Sequence, residues 1–240
     1  ESAGGHSSMP PEHTAVGILV DALQKLKEAP FPARLNRPTQ EMFAFLGPEM
    51  AFDKKLVLAN LWLFSSLLEK ALAQSPQTNA LIRTTLAPTL LNAGIKDNVL
   101  PSKASAVVNL RIAPGESTAS ATQYVRHMIA DPAVTILPQA VQLEPSAVSS
   151  IDSASFTVLH KTIRQTIPTA VVAPALLIAA TDSRHYRSLT TNIFRFLPVT
   201  VGPDDIDRYH GIDERISVED YERCIRFYAQ LIINSNAPMR

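Results

Sequence analysis

Residues 104 to 112 (ASAVVNLRI) alternate strictly, with Ala106, Val108, Leu110 and Ile112 on one side of an extended chain and Val107, Asn109 and Arg111 on the other. A strand with one apolar face needs a layer to lay that face against, and the flanking sequence supplies it. Pro114-Gly115 ends the run, Ser117 is placed to cap a helix, and Tyr124, Val125, Met128 and Ile129 give that helix an apolar side. Upstream, Ala15, Ile18, Leu19, Ala22 and Leu26 repeat at helical spacing. Residues 77 to 91 read as one or two strands, 92 to 94 as a turn and 134 to 137 as a short closing strand. Counting a strand ahead of Gly4-Gly5, the expected order is β-α-β-β-α-β, a ferredoxin-like sandwich with helices on one sheet face and the other face free.

The stretch from about 30 to 75 exceeds what that sandwich needs. Residues 30 to 38 (PFPARLNRP) carry three prolines, and a helical block from about Asp53 to Ala73 is apolar around most of its circumference, which predicts burial on several sides. Its greasiest part, residues 55 to 64, is interrupted by Asn60 and is far shorter than the roughly 20 residues a bilayer span needs. No membrane partner is expected.

A loop rich in Ser, Pro and Gln at 138 to 150 leads into a second region. There a helix bearing Phe156, Leu159, Ile163 and Ile167 is followed by two apolar strand-like runs, 171 to 179 and 193 to 199, each ending in a polar knot: TDSRHY at 181 to 186 and HGIDER at 210 to 215. Strand ends are where α/β sheets present ligand-binding groups. A final helix opens at Ser217 and Asp220 with capping-box spacing and closes near Asn234. The single Cys224 lies on its apolar stripe Tyr221, Cys224, Ile225, Tyr228, Ile232, so it is expected to be buried and structural. Two strands and two helices amount to half of an α/β layer.

With 22 basic and 22 acidic residues and no run of either sign, the chain lacks the basic patch that nucleic acid requires. Its charged fraction of 18% falls below the roughly 25% of an average soluble chain, which suggests surface covered by another subunit.

The segments GGHSSMPP (4 to 11), NVLPSKASAVVNLRIAPG (98 to 115), TDSRHY, RFLP (195 to 198) and HGIDERISVEDY (210 to 221), in that order, resemble the dinuclear zinc metallopeptidases that include carboxypeptidase S, aminoacylase and succinyl-diaminopimelate desuccinylase, most densely the carboxypeptidase S branch. The resemblance implies an α+β chain: a lid and dimerisation domain over 1 to 143, followed by the closing segment of the α/β catalytic domain over 144 to 240. It also implies that this chain begins inside the first lid strand. The HxD motif, the bridging Asp, the paired Glu residues with the general base, and the next acidic ligand would then lie upstream. Two zinc ions are implied for such an enzyme, acting on a peptide or N-acyl amino acid, with no stably bound metal and no activity expected of these 240 residues alone. A homodimer through the lid is the implied assembly.

Residue by residue, the resemblance assigns His210 as a zinc ligand and His6 as an oxyanion donor reaching the other subunit's cleft. Asn98, Arg111 and Arg184 would bind the substrate carboxylate, for which a guanidinium fork is suited. Asp182 is expected to cap the loop at Arg184, while His185 has no assigned role and His13 reads as structural. Plainer readings stay open on sequence grounds: His210 as a surface histidine, His6 as a partner for strand-end carbonyls, Arg111 on a solvated strand. Trp62 and Phe64 could wall the acyl side of a substrate or be plain lid core. A free-standing dimerisation or ligand-binding module is the competing reading of the whole, though such a module has no use for TDSRHY or HGIDERI.

Overall fold

The computed structural model describes residues 1–139, 142–202, 205, 208, 209 and 211–236. In chain order the elements are β1 (Gly5–His6), α1 (Ala15–Glu28), α2 (Arg37–Leu46), a 3-10 turn (Gly47–Glu49), α3 (Phe52–Ala59), α4 (Leu61–Leu72), α5 (Pro76–Asn79), β2 (Thr85–Ala93), β3 (Val99–Leu100), β4 (Ala104–Arg111), α6 (Thr118–Ile129), α7 (Ala154–Thr166), a second 3-10 turn (Asp182–Tyr186) and α8 (Val218–Asn236). The chain is a mixture of helix and sheet. It divides into two compact units, one holding Glu1–Thr39 and Trp62–Ser146, the other Gln40–Leu61 and Ala147–Arg240.

In the first unit β2 and β4 form an antiparallel hairpin that runs from Thr85 opposite Arg111 to Ala93 opposite Ala104, with an irregularity between Pro88 and Leu90. Over 109 to 112 the alternation comes out as expected. Leu110 and Ile112 pack with Leu86 against a buried cluster of Ala22, Leu26, Phe31, Ala121, Val125 and Ile129 from α1, the segment after it and α6, while Asn109 and Arg111 are exposed. Burying each large side chain of that cluster contributes about 1.5–3 kcal/mol. Both helices start on hydroxyl caps: Thr14 accepts from the Gly17 amide, and Ser117 and Ser120 form a reciprocal capping box. The phenol of Tyr124 donates to the Pro30 carbonyl at 3.1 Å, and its ring stacks on Phe31.

The excursion from Gly94 to Lys103 carries β3, which pairs antiparallel with β1, Gly5 opposite Leu100 and His6 opposite Val99. Gly4 allows a close approach there. A Cβ on it would stand 3.0 Å from the Leu100 carbonyl oxygen, a backbone atom that cannot swing aside.

In the second unit α7 packs on α8. Phe156 meets Phe45 and Phe194, with ring centroids 6.0 and 5.5 Å away. Phe227, 1% exposed, lies 5.0 Å from Phe196.

Several expectations need correction. Residues 134 to 137 form no strand, although Val134 and Ile136 pack on the core and Leu137 is exposed; the alternation is right and the ladder partner is lacking. The runs 171 to 179 and 193 to 199 are likewise unpaired among the described residues. A strand is a relation between two segments, and periodicity encodes only which face of one segment is apolar. Among the described residues the strand pairings are β1-β3 and β2-β4, two two-stranded sheets rather than the expected four-stranded order.

The helical block around 53 to 73 is two helices broken at Asn60, whose amide donates to the Leu56 carbonyl. It is not buried. Phe52 is 80% and Trp62 81% exposed, and neither helix has a buried residue. On α8 the stripe Tyr221, Ile225, Tyr228, Ile232 faces outward, because Phe227 occupies the inner side; Cys224 is half-buried. Among the described residues, no helix is long and apolar enough to cross a membrane.

Candidate functional site

The backbones around His6 and Asn98 come from distant parts of the sequence and are brought near each other by the β1–β3 pairing. The Ser7 amide donates to the Asn98 carbonyl at 3.2 Å, next to the His6–Val99 pair. Both residues are exposed. The imidazole is oriented by Ser8, whose backbone amide donates to Nδ1 at 3.3 Å and whose hydroxyl lies 2.9 Å from the same atom. With Nδ1 accepting from that amide, Nε2 is the ring nitrogen left to donate, and it has no partner among the described residues. The Asn98 side-chain amide makes no hydrogen bond within the described residues and is likewise available to a ligand.

Arg111 is not beside them. It ends β4, seven residues beyond Ala104 and hence about 23 Å of strand from the excursion that carries Asn98. Its guanidinium is exposed and has no partner within the described residues. Within the first unit these residues lie apart: His6 and the Asn98 backbone at the β1–β3 pairing, and Arg111 at the far end of β4.

In the second unit the knot at 181 to 186 folds as a 3-10 turn. Its cap is Thr181 rather than Asp182: the Thr181 hydroxyl accepts from the Ser183 amide at 3.3 Å, and Asp182 is the first residue inside the turn. A hydroxyl one position earlier reaches that amide without placing a carboxylate over the turn. Arg184 is exposed, and its Nε donates to His185 Nε2 at 3.3 Å, which gives the previously unassigned histidine a role as acceptor. Arg195, in the RFLP segment, has no periodicity signal that marks it as a site residue. Its Nε donates to the Ser183 and Thr181 hydroxyls at 2.7 and 3.2 Å. His210 lies outside the described residues.

Below the second knot, Asp220 is buried at the start of α8, where its carboxylate is held below the usual range. The Ser217 hydroxyl does most of this, against the opposing effect of burial, with the Thr200 amide and the Arg223 guanidinium adding to it. Glu144 is lowered in the same sense by the Thr118 hydroxyl and amide, to which it bonds at the start of α6.

Among the described residues no group of three or more His, Cys, Asp or Glu could hold a metal ion. A lone imidazole such as His210 cannot complete a tetrahedral zinc site. The donors described in this chain do not by themselves fit a dinuclear zinc centre.

Residues 2–136 match the M20 peptidase dimerisation domain. The chain is 44% identical over 232 residues to a probable carboxypeptidase S-like protein 2 of Dictyostelium discoideum, covering 97% of this chain and 44% of the relative. It is 42% identical to an N-fatty-acyl-amino acid synthase/hydrolase PM20D1 of Xenopus tropicalis, covering 97% of this chain and 46% of the relative. The chain thus spans less than half the length of these relatives. Among solved structures, an M20 family metallo-carboxypeptidase from Sulfolobus solfataricus aligns with a TM-score of 0.63 at 14% identity, over 97% of this chain and 55% of the other, a likeness of fold.

Proposed function

The chain belongs to the M20 peptidase family, and from that premise we propose that it is the lid and closing catalytic segment of a zinc-dependent carboxypeptidase or amidohydrolase. The bond cleaved is a peptide or N-acyl amide next to a free carboxylate. Residues 1 to 143 serve as the dimerising lid in a homodimer, and 144 to 240 complete the catalytic domain. Relatives named carboxypeptidase S-like and N-fatty-acyl-amino acid synthase/hydrolase support this substrate class, since an amino acid carboxylate flanks the bond in both. The metals, when bound, supply an acidified water and polarise the carbonyl. Among the described residues no group could hold them, and in this reading the chain alone does not hydrolyse substrate.

The observation that carries the reading is the exposed His6, whose Nδ1 is held by Ser8 and whose Nε2 has no partner among the described residues. Such a group, fixed before substrate arrives, can donate to the oxyanion that develops at the scissile carbonyl. Removing one donor of that kind costs about 10²–10³ in kcat. Arg111, at the far end of the lid strand, binds the substrate carboxylate with Arg184. Because His6 and Arg111 are separated within one chain, they serve different cleft positions, which is what a donor acting across the dimer requires.

The test is His6→Ala in the metal-loaded enzyme containing this chain. A fall in kcat of about 10²–10³ with the dimer intact is expected. Unchanged kcat in an intact dimer would remove the oxyanion role. For Trp62, we propose contact with the acyl side of long-chain substrates, suggested by its exposure on α4.

A further inference from the structure

We propose that Arg195 is a second guanidinium of the carboxylate-binding site, fastened to the turn that carries Arg184; this rests on the carboxylate reading of Arg184 given above. On the extended run 193 to 199, Phe194 and Phe196 are half-buried and Arg195 between them is exposed, so its side chain points toward the 3-10 turn instead of the aromatic core. Its Nε donates to Ser183 Oγ at 2.7 Å and Thr181 Oγ1 at 3.2 Å, two hydroxyls that lie 2.5 Å from each other. These are its only hydrogen bonds within the described residues. Both terminal amino groups, Nη1 and Nη2, remain uncommitted.

This anchoring has a chemical consequence. A guanidinium pinned through Nε has its planar fork oriented in advance, so little freedom is lost when a carboxylate docks. Arg184, the residue after Ser183, is engaged in the same manner, through Nε to His185. Asp182 is the one acidic residue between 181 and 196, and it forms no ion pair with either arginine. Arg184 and Arg195 therefore have no acidic partner among the described residues, in a chain whose formal net charge is zero. An anion of carboxylate shape is the ligand chemistry that two such forks select. A lysine at 195 could supply the charge, yet one ammonium cannot both tie two hydroxyls and present a fork.

The experiment compares N-acetyl-leucine with N-acetyl-leucinamide in the metal-loaded enzyme containing this chain, reading the acid-over-amide ratio of kcat/KM and the melting temperature. Arg195→Gln is expected to lower that ratio about tenfold, as losing a charge-assisted hydrogen bond does. Arg195→Lys is expected not to restore it, and Ser183→Ala, which keeps the charge and loses the pin, should lower it by a smaller factor. If Arg184→Gln lowers the ratio and Arg195→Gln does not, the role of Arg195 is overturned while the carboxylate reading stands. If Arg184→Gln leaves the ratio unchanged, the carboxylate reading fails and this inference with it. Equal losses on acid and amide together with a lowered melting temperature would make Arg195 structural only and overturn the proposal.

Discussion

The two units differ in how their extended segments find partners. In the first, β4 presents Leu110 and Ile112 to α1 and α6, and the cluster around Leu26, Val125 and Ile129 closes over them. In the second, α7 and α8 bury Phe156, Ile163 and Phe227, but Val171, Leu177, Ile178 and Leu197 on the extended runs remain exposed, as do Tyr221, Ile225 and Ile232 on α8. One unit satisfies its strand pairing locally, through a hairpin whose two strands lie within the same short stretch of chain. The other has helices that meet and extended runs that do not. A hairpin completes itself cheaply, whereas a layer built from separated strands depends on neighbours that the local sequence does not supply.

That contrast is breakable by core truncation, the largest effect expected. Phe227→Ala, at a site 1% exposed, should cost the second unit about 3–5 kcal/mol, and Leu26→Ala should cost the first about 2–5 kcal/mol. Hydrogen exchange read separately over each unit checks whether each loss stays in its own unit. Protection lost equally in both units after either change would show one cooperative body.

A smaller effect tests how polar groups finish the hairpin unit. The buried Thr84 hydroxyl donates to the Glu116 carboxylate and accepts from the Ala113 amide at 2.9 Å. Thr84→Val leaves both partners unsatisfied and should cost about 1–3 kcal/mol. Urea unfolding measures this, and a neutral result would mean that water replaces the hydroxyl.

The smallest effect is the acid sensitivity of the second unit. Because the Asp220 carboxyl lies below its ordinary range when folded, its contribution is complete above the unfolded value of about 3.9 and disappears as pH falls through the lower folded value. Asp220→Asn should reduce stability near neutral pH and flatten the acid limb of a melting-temperature profile. A variant whose acid limb matched the parent's would assign the acid sensitivity to another group.

Much of the first unit was legible in advance because its signals are local. The alternation of 109 to 112, the Ser117 cap and the Ala22/Leu26 stripe each need only a few neighbours, and each matches the structure. The exposed faces of α3 and α4 were misjudged, since an all-round apolar helix says it is able to be covered and not by what. The stripe chosen on α8 failed for a related reason. That helix carries two apolar faces, and contact with Phe196 and α7 decides which one turns inward. In the candidate site, His6, Asn98, Arg111 and Arg184 were recognisable as residue types at motif positions. Ser8 as the orienter of His6, and Arg195 as the clamp on Thr181 and Ser183, were not, because neither side chain reveals its partner until the backbone brings the two together.

Sequence alone therefore determined the residues with short-range duties: the caps, the turn at Pro114-Gly115, the inner face of β4 and the family motifs that mark an M20 chain. Tertiary structure decided everything that depends on a second segment: which extended runs pair, which face of α8 is covered, and which hydroxyls Arg195 engages. The physical reason is that propensity and periodicity act over a few residues, while a strand ladder, a buried stripe and a hydrogen-bonded guanidinium are each defined by two partners whose meeting is a property of the folded chain.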